Sequence, residues 1–216
     1  FPKSGACAAI RELIQAPRHE LAAWWLVSAG DDLEKTVRPE VAARGIRAFK
    51  IKILGRDNEQ DARRTAEIFR AARSWGVQRP VLSVDSNEGN PDSAAVRDYL
   101  DRLESLDGGA YEALSYLEQP TSRDIVAYPQ DWRAVTRRKP VLLDEGLTSL
   151  DLLPQVEEQG WSGLALKTCK GQSFALASAS WANERNLQVA VQDLTNPGYS
   201  AIHSFLFAAH LPTING

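Results

Sequence analysis

The sequence has few of the residues on which disulfide scaffolds, zinc sites and membrane spans depend. Cys7 and Cys169 are its only cysteines, which is too few for a disulfide framework, and no C-x-x-C spacing is present for zinc. No apolar run approaches the roughly 20 residues that span a bilayer, and the first residues do not form a signal-peptide pattern. We therefore expect a soluble protein of a reducing, cytoplasmic compartment.

An excess of one charge sign is also lacking. The chain of 216 residues carries 25 Lys and Arg against 28 Asp and Glu, a formal net charge of −3. The two signs are interspersed without a basic cluster, so we expect neither nucleic acid nor a membrane as the partner. With 44% hydrophobic residues, the chain is long and apolar enough to bury a substantial core.

Methionine is absent altogether. We therefore expect that Phe1 is not the N-terminus of the gene product. The alternative is that methionines are missing from the sequence, in which case some residues that stand next to each other in it are not joined by a peptide bond. In either case we expect the chain to be an incomplete record of its gene product.

Short apolar runs alternate with longer amphipathic runs, and the alternation occurs seven times. The predicted strands are Ala23–Ser28, Ile46–Ile53, Val81–Asp85, Tyr116–Glu118, Val141–Asp144, Gly163–Lys167 and Gln188–Val191. The predicted helices that follow them are Asp32–Arg44, Gln60–Trp75, Asp92–Leu106, Ile125–Arg137, Leu150–Gln159, Phe174–Asn186 and Ser200–Ala209. Strands that each lead into a helix through a short connection predict a parallel sheet.

A parallel sheet of this kind is either open and doubly wound or closed into a (β/α)8 barrel. No G-x-G-x-x-G motif follows the first predicted strand, which argues against the dinucleotide-binding form of the open sheet. Seven units and an apolar start to an eighth at Leu211–Ile214 favour the barrel. We therefore predict an α/β chain with a TIM-type barrel over residues 21–216, containing strands one to seven and the helix after them. Residues 1–20 are predicted to form a helix that precedes the barrel.

Charged side chains stand at or near the C-terminal ends of five consecutive predicted strands. They are Lys50 and Lys52, Asp85, Glu118, Asp144 and Lys167. From Lys52 onward the successive positions are 33, 33, 26 and 23 residues apart, the length of single βα units. Parallel barrel strands are buried on both faces, where an unpaired charge is costly. The C-terminal strand ends of a barrel meet at the mouth where active sites of this fold lie, so we expect one shared site.

Three neighbouring carboxylates would repel one another unless a cation lay between them. An all-oxygen set from Asp85, Glu118 and Asp144 favours Mg²⁺, with Mn²⁺ as the alternative and zinc disfavoured. A substrate carboxylate bound to that ion would have an acidified α-proton. Lys52 and Lys167, one on each side, could remove and return a proton. The pattern therefore predicts proton abstraction α to a carboxylate.

The residues of this pattern lie in segments that resemble the enolase superfamily and, within it, the mandelate racemase/muconate lactonizing enzyme subgroup. The matching segments are Phe49-Lys50-Ile51-Lys52, Val84-Asp85-Ser86-Asn87, Leu117-Glu118-Gln119-Pro120, Leu143-Asp144-Glu145 and Leu166-Lys167. The resemblance runs from about Gly5 to the end of the chain. It implies the C-terminal barrel domain of such a protein, with the N-terminal capping domain and the last strand absent and with residues 1–20 linking to that capping domain.

The resemblance also implies a ligand set for the metal. Asp85, Glu118 and Asp144 match the metal ligands, with Asp144 rather than Glu145 in the third place. The implied cofactor is Mg²⁺, which stabilises an enediolate formed from a small carboxylate substrate. The resemblance further implies a homo-oligomer, by analogy with relatives.

The lysines and one amide receive roles from the same resemblance. Lys52 matches the base on one face of the substrate, Lys50 the neighbour that lowers the pKa of Lys52, and Lys167 the acid/base on the other face. Asn87 matches a polar residue close to the ligands and the substrate. Together these residues imply an isomerase or a lyase.

Several reaction outcomes fit the same residues. Racemisation or epimerisation and cycloisomerisation come first, with β-elimination, as in an acid-sugar dehydratase, as the alternative. A catalytically silent barrel that binds a metal is a rival from another class. A Schiff-base aldolase that uses Lys167 as its nucleophile is a second rival, and it would require no metal.

Overall fold

The computed structural model describes residues 5–192 and 197–214. The chain divides into two compact units, which we call the first unit (residues 23–141) and the second unit (residues 1–22 and 142–216). The α-helices are α1 Ala6–Leu13, α2 Arg38–Arg44, α3 Asn58–Ser74, α4 Ser93–Leu106, α5 Gly108–Ala113, α6 Arg133–Thr136, α7 Leu153–Glu158, α8 Gln172–Glu184 and α9 Tyr199–Ala209. The strands are β1 Trp25–Val27, β2 Ala48–Lys52, β3 Val81–Asp85, β4 Leu114–Glu118, β5 Val141–Leu143, β6 Gly163–Leu166 and β7 Gln188–Val191.

The first unit contains four parallel strands that pair in chain order, β1 with β2, β2 with β3 and β3 with β4. Side chains on β2 alternate between two environments: Phe49 and Ile51 are fully buried, whereas Lys50 and Lys52 lie on the opposite face of the strand. The core of this unit is formed by large apolar and aromatic side chains with less than 2% exposure. They include Phe49, Ile51, Leu82, Tyr99, Leu100, Leu103, Tyr116 and Trp132.

Acidic caps begin the two long helices of the first unit. The Asp57 carboxylate accepts a hydrogen bond from the Gln60 amide at 3.0 Å, and the Asp92 carboxylate accepts one from the Ala95 amide at 2.8 Å. Each cap satisfies an amide that has no partner inside the first turn of its helix. Helices α3 and α4 therefore start directly after the loops that leave β2 and β3, and they pack against each other.

The second unit contains β6, β7 and all of β5 except its first residue, Val141. These strands are parallel and also pair in chain order. Helix α1 packs on α8 with Ala9 and Leu13 buried. Strands β6 and β7 approach so closely at Gly163 that a Cβ there would lie 2.1 Å from the Gln188 carbonyl oxygen. Only glycine can occupy that position without a shift of the backbone.

The structure differs from the predicted elements at two helices. The helix predicted over Ile125–Arg137 is wrong, since only Arg133–Thr136 is helical. Pro129 lacks an amide donor, and the Asp124 carboxylate instead closes a local turn by accepting from the Ala127 amide at 2.9 Å. The sequence pattern also missed α5, which begins where we predicted a loop because the Asp107 carboxylate caps the Ala110 amide at 3.0 Å.

The remaining predicted elements agree to within a few residues. The first strand is shorter than predicted, at Trp25–Val27, and a π-helical segment, Leu33–Val37, precedes α2. The predicted start of an eighth unit forms no strand within the described residues 211–214, although the Ile214 amide donates to the Val189 carbonyl of β7 at 2.8 Å. Across residues 5–192 and 197–214, no helix is long and apolar enough to cross a membrane.

Candidate active site

The strand register of the first unit aligns three of the predicted site residues. Lys52, the last residue of β2, pairs with Asp85, the last residue of β3, and Asp85 pairs with Glu118, the last residue of β4. Residues paired in adjacent parallel strands point to the same side of a sheet. The charged ends of three neighbouring strands therefore form one row on one face.

Lys50 lies one step below this row, on the same face of β2 as Lys52. Its ammonium Nζ is 2.5 Å from Oε1 of Glu118 and 3.1 Å from Oδ2 of Asp85. Its side chain is only 12% exposed, and both carboxylates are almost completely buried. Two carboxylates thus converge on a single positive charge in the interior.

The titration behaviour of this cluster follows from its charges. Burial acts against the charge of Lys50, but Glu118 and Asp85 outweigh burial and hold the pKa of the Lys50 ammonium above its ordinary value. Burial likewise acts to raise the pKa of Asp85, and the charges of Lys50 and Lys52 bring that pKa below its usual range instead. Both carboxylate partners of Lys50 therefore belong to an ion-paired network.

The side chain of Lys52 is held by two acceptors. Its Nζ donates to Asp85 Oδ2 at 2.5 Å and to Asn87 Oδ1 at 2.6 Å. The backbone amide of Asn87 in turn donates to Asp85 Oδ1 at 2.9 Å. Asn87 adopts a left-handed φ of 44°, a conformation that asparagine tolerates better than most residues. The amine of Lys52 is therefore fixed in direction, on a side chain that is 31% exposed.

The second unit holds the other predicted site residues at the ends of its first two strands. Asp144 follows β5 and is 1% exposed, and its Oδ2 lies 2.8 Å from the Nζ of Lys167, which follows β6. Glu145 is farther from Lys167, with a shortest separation of 4.0 Å. A carboxylate and a lysine are thus paired in the second unit, as two carboxylates and two lysines are in the first.

Lys170 is a further charged group that the sequence analysis overlooked. Its Nζ donates to the carbonyl oxygens of Asp144 at 2.7 Å and Leu147 at 3.0 Å. Lys170 ends a 3₁₀ segment, Thr168–Lys170, which Lys167 directly precedes. The Lys-x-x-Lys spacing was therefore a signal that could have identified Lys170.

The donor chemistry of the first unit suits a hard divalent cation. Asp85 and Glu118 offer only carboxylate oxygens, and both converge on a positive charge. Within the residues that the structure describes, neither unit brings three His, Cys, Asp or Glu side chains together as a metal-holding group. The residues therefore fit Mg²⁺ by donor type, and the first unit contributes two carboxylates.

Comparison with known proteins identifies the fold. A family model described as enolase C-terminal domain-like matches residues 32–215. The chain belongs to this family. The predicted resemblance to the enolase superfamily and the predicted TIM-type (β/α) barrel fold class are therefore confirmed.

Solved structures similar to this member of the family include muconate lactonizing enzymes. That of Klebsiella pneumoniae is 24% identical, with a TM-score of 0.71 over 95% of this chain and 54% of its own. A mandelate racemase/muconate lactonizing protein from Herpetosiphon aurantiacus is 23% identical, with a TM-score of 0.71 over 88% of this chain and 52% of its own. Muconate cycloisomerase from Pseudomonas fluorescens is 20% identical, with a TM-score of 0.70 over 98% of this chain and 58% of its own.

These structural likenesses concern the fold. The chain spans little more than half the length of the three solved proteins, at 54%, 52% and 58%. No curated protein matches the sequence. The chemistry that this chain performs is therefore argued from its own residues.

Proposed function

We propose that the protein is an enolase-superfamily isomerase or lyase that abstracts the proton α to the carboxylate of a small substrate. The observation that carries the proposal is the in-register row of Lys52, Asp85 and Glu118, with Lys50 between the two carboxylates. Burying Asp85, Glu118 and most of Lys50 at strand ends has little value for stability, because hydrophobic residues would serve a core as well. A reaction that needs a fixed amine beside fixed carboxylates accounts for them.

In this proposal Asp85, Glu118 and Asp144 hold Mg²⁺, with Mn²⁺ as the alternative. When bound, the ion supplies stabilisation of the negative charge that develops on the substrate carboxylate. The all-oxygen donors and the burial of these three carboxylates support the assignment. Family membership supports it as well, and the assignment of Asp144 to the same ion depends on the strand-end pattern in the sequence.

The lysines hold and move the proton. Lys52 is the proposed base, since Asp85 and Asn87 fix the direction of its Nζ and a preoriented base needs no reorganisation when it reacts. Lys50 supplies a permanent positive charge next to it. Lys167, paired with Asp144 at 2.8 Å, is the proposed acid/base for the opposite face of the substrate.

Racemisation, epimerisation or cycloisomerisation is the outcome we propose first. Two lysines on opposite faces suit removal of a proton from one side and its return from the other. β-Elimination uses the same residues with one lysine as the base and is the alternative. The similar solved proteins are muconate lactonizing enzymes and a muconate cycloisomerase by name, which favours cycloisomerisation among these outcomes.

The two rivals from other classes are less well supported. A Schiff-base aldolase that uses Lys167 would need no metal, and it would leave the buried carboxylates of Asp85 and Glu118 without a role. A silent barrel would have no use for an ordered Lys52 that remains 31% exposed. The homo-oligomer and the cytoplasmic location stay predictions, which rest on analogy and on the cysteine content respectively.

Solvent deuterium exchange tests the proposal directly. The full-length protein is incubated in D₂O with Mg²⁺ and a panel of carboxylates that carry an α-proton, namely dipeptides, sugar acids and muconolactone. We expect the α-proton of at least one class of these carboxylates to exchange with deuterium, as measured by NMR. Lys52→Ala should abolish exchange on one face and Lys167→Ala on the other.

The outcomes separate the candidate functions. Undiminished exchange in both lysine variants would contradict the proposed roles. Tight binding of Mg²⁺ without exchange of any carboxylate would favour the silent barrel. Borohydride trapping of Lys167 with a carbonyl substrate in the presence of EDTA would favour the aldolase.

A further inference from the structure

Asn90 joins the loops that follow three neighbouring strands. Its side-chain amide Nδ2 donates to the Gly55 carbonyl of the loop after β2 at 3.2 Å. Its Oδ1 accepts from the Ser86 hydroxyl of its own loop, after β3, at 2.8 Å. Its backbone amide donates to the Pro120 carbonyl of the loop after β4 at 2.8 Å. One residue, only 5% exposed, therefore bonds to all three loops.

These loops begin at the residues of the proposed site. Gly55 lies three positions after Lys52, Ser86 follows Asp85 directly, and Pro120 lies two positions after Glu118. A shift of any loop would therefore displace the charged strand end from which it leaves. The relative position of these strand ends decides whether two carboxylates and an amine converge.

The backbones of the loops after β2 and β3 leave no room for a side chain between them. A Cβ on Gly89 would lie 2.1 Å from the Leu54 carbonyl oxygen, and Gly55 has a left-handed φ of 72° with the Gly89 backbone 2.6 Å from its ideal Cβ. Direct backbone contact between the loops after β2 and β3 is thus possible only because both residues are glycines.

The same loops hold backbone conformations that are costly for ordinary residues. Asn87, Glu88 and Gln119 have φ values of 44°, 70° and 36°, in the left-handed region. The Glu88 amide donates to the Gln119 carbonyl at 2.9 Å, which joins two of these residues. Such conformations cost on the order of 1–3 kcal/mol each and persist where the surroundings over-determine them, typically at functional sites.

We propose that Asn90 is a positioning residue that fixes Lys52, Asp85 and Glu118 relative to one another. This inference rests on the proposed function for its chemical purpose and on the three loop contacts for its physical basis. The hydrogen bonds of Asn90 go to Ser86, Gly55 and Pro120 and not to the proposed ligands. Its effect passes through the loop backbones, as outer-shell partners of metal sites act on their ligands.

Two substitutions separate positioning from electrostatics. Asn90→Ala removes both side-chain hydrogen bonds and leaves the backbone bond to Pro120. Asn90→Asp keeps the shape and the acceptor for Ser86 but places a carboxylate oxygen against the Gly55 carbonyl. The added negative charge should strengthen cation binding if charge alone matters, whereas loss of the loop contact should weaken it.

Asn58 provides the matched control. Its side-chain amide joins α3 to α4 by donating to the Ala95 carbonyl at 2.9 Å and to Asp98 Oδ2 at 2.8 Å. Asn58→Ala therefore removes a similar pair of hydrogen bonds in the same unit, away from the strand ends. The loss of stability in Asn58→Ala shows how large an effect to expect in the Asn90 variants if Asn90 had only a structural role.

The first measurement is Mn²⁺ binding to the full-length protein by calorimetry, with thermal unfolding in parallel. We expect the Mn²⁺ dissociation constant to rise about 10–100-fold in both Asn90 variants and to stay unchanged in Asn58→Ala. Asn90 variants that bind Mn²⁺ as the unaltered protein does, with a stability loss like that of Asn58→Ala, would overturn the inference.

The second measurement needs no metal. The Ile53 amide donates to the Asp85 carbonyl at 3.1 Å, and the Glu88 amide donates to Gln119, so both report on the spacing of neighbouring strand ends. In EDTA, we expect the exchange of these two amides with D₂O to accelerate at least about tenfold in Asn90→Ala and not in Asn58→Ala. Failure of the unaltered protein to bind Mn²⁺, together with this acceleration, would refute the proposed metal site and leave the positioning role standing. Unchanged exchange would refute the positioning role.

Discussion

The buried charge balance of the first unit depends on Lys50, whose ammonium serves both Asp85 and Glu118. Lys50→Met fills a similar volume and leaves two buried carboxylates without that cation. Removing one partner of a buried ion pair costs about 3–5 kcal/mol, so we expect a loss of that size in the metal-free protein. Urea unfolding at pH 7 in EDTA measures it.

Comparison with an exposed ion pair shows whether burial causes the stability loss in Lys50→Met. Lys35 pairs with Asp32 at 2.8 Å but is 82% exposed, so Lys35→Met should lower the stability far less than Lys50→Met does. Added Mg²⁺ should recover part of the stability of Lys50→Met, because a divalent ion can neutralise the same carboxylates. A loss that Mg²⁺ does not reduce would count against an ion at Asp85 and Glu118.

The ion pair between Glu88, in the loop after β3, and Arg123 should make the stability of the folded protein depend on pH. Hydrogen bonds from the Arg123 side chain lower the pKa of the Glu88 carboxyl below its ordinary value. A carboxyl with a lower pKa in the folded state adds stability above its unfolded pKa and loses that stability as pH falls through the folded value. Arg123→Ala should therefore be less stable at pH 7, by less than about 1 kcal/mol because Arg123 is exposed.

The same pair makes a prediction about the shape of the pH dependence. The unaltered protein and Arg123→Ala should converge in stability as pH falls below the lowered pKa of Glu88, as measured by urea midpoints between about pH 7 and pH 3. In a Glu88→Gln background the effect of Arg123→Ala should not vary with pH. Parallel curves in the Glu88-containing proteins would show that the pair makes no such contribution.

At the scale of elements, the pairing of β6 with β7 depends on the missing side chain of Gly163. A Cβ there would meet the Gln188 carbonyl oxygen at 2.1 Å, so Gly163→Ala must push the two strands apart. Overpacking of this kind costs roughly 1–3 kcal/mol or more. We expect faster hydrogen exchange at the paired amides of β6 and β7 and a lower unfolding midpoint.

Gly30 is the control for this substitution, since among the described residues no heavy atom beyond its chain neighbours lies within 4 Å of the Cβ that an alanine would place there. Gly30→Ala should leave the exchange of β6 and β7 unchanged and alter stability by less than about 1 kcal/mol. Equal effects of the two substitutions would mean that the close approach at Gly163 is not what limits the pairing.

The elements that the sequence predicted well are those whose pattern is local. The 33-residue steps between Lys52, Asp85 and Glu118 anticipated their pairing, because each step is one βα unit of a parallel sheet. The helix expected over Ile125–Arg137 failed because apolar spacing outweighed Pro129 in the prediction. Helix α5 was missed because Asp107 both ends one helix and begins the next.

The parts of the candidate site that escaped prediction depend on contacts distant in sequence. Asn90 bonds to Gly55, 35 residues earlier, and to the Pro120 carbonyl, and no periodic pattern encodes such a contact. Lys170 was different, since its spacing from Lys167 was visible. Local spacing thus predicted which charges stand at strand ends, while the loops that hold them became evident only in three dimensions.

At the scale of the whole molecule, the proposed metal ligands belong to both units. Asp85 and Glu118 lie in the first unit and Asp144 in the second. If all three hold the same Mg²⁺, the ion should stabilise both units together, by about 2.7 kcal/mol at a concentration 100 times its dissociation constant. If they do not share an ion, Mg²⁺ should protect only the unit that binds it.

Hydrogen exchange of the full-length protein, with and without Mg²⁺, tests this sharing. Under the shared-ion hypothesis, Asp144→Asn should abolish the Mg²⁺-dependent protection of amides in β3 and β4 of the first unit, and Asp85→Asn should abolish that of β6 and β7 in the second. Glu145→Gln is the control, because Glu145 is the adjacent carboxylate that we did not assign to the metal, and it should leave both effects intact. Protection lost only in the unit that carries the substitution would contradict a common ion, and protection lost in Glu145→Gln but kept in Asp144→Asn would move the third ligand by one residue.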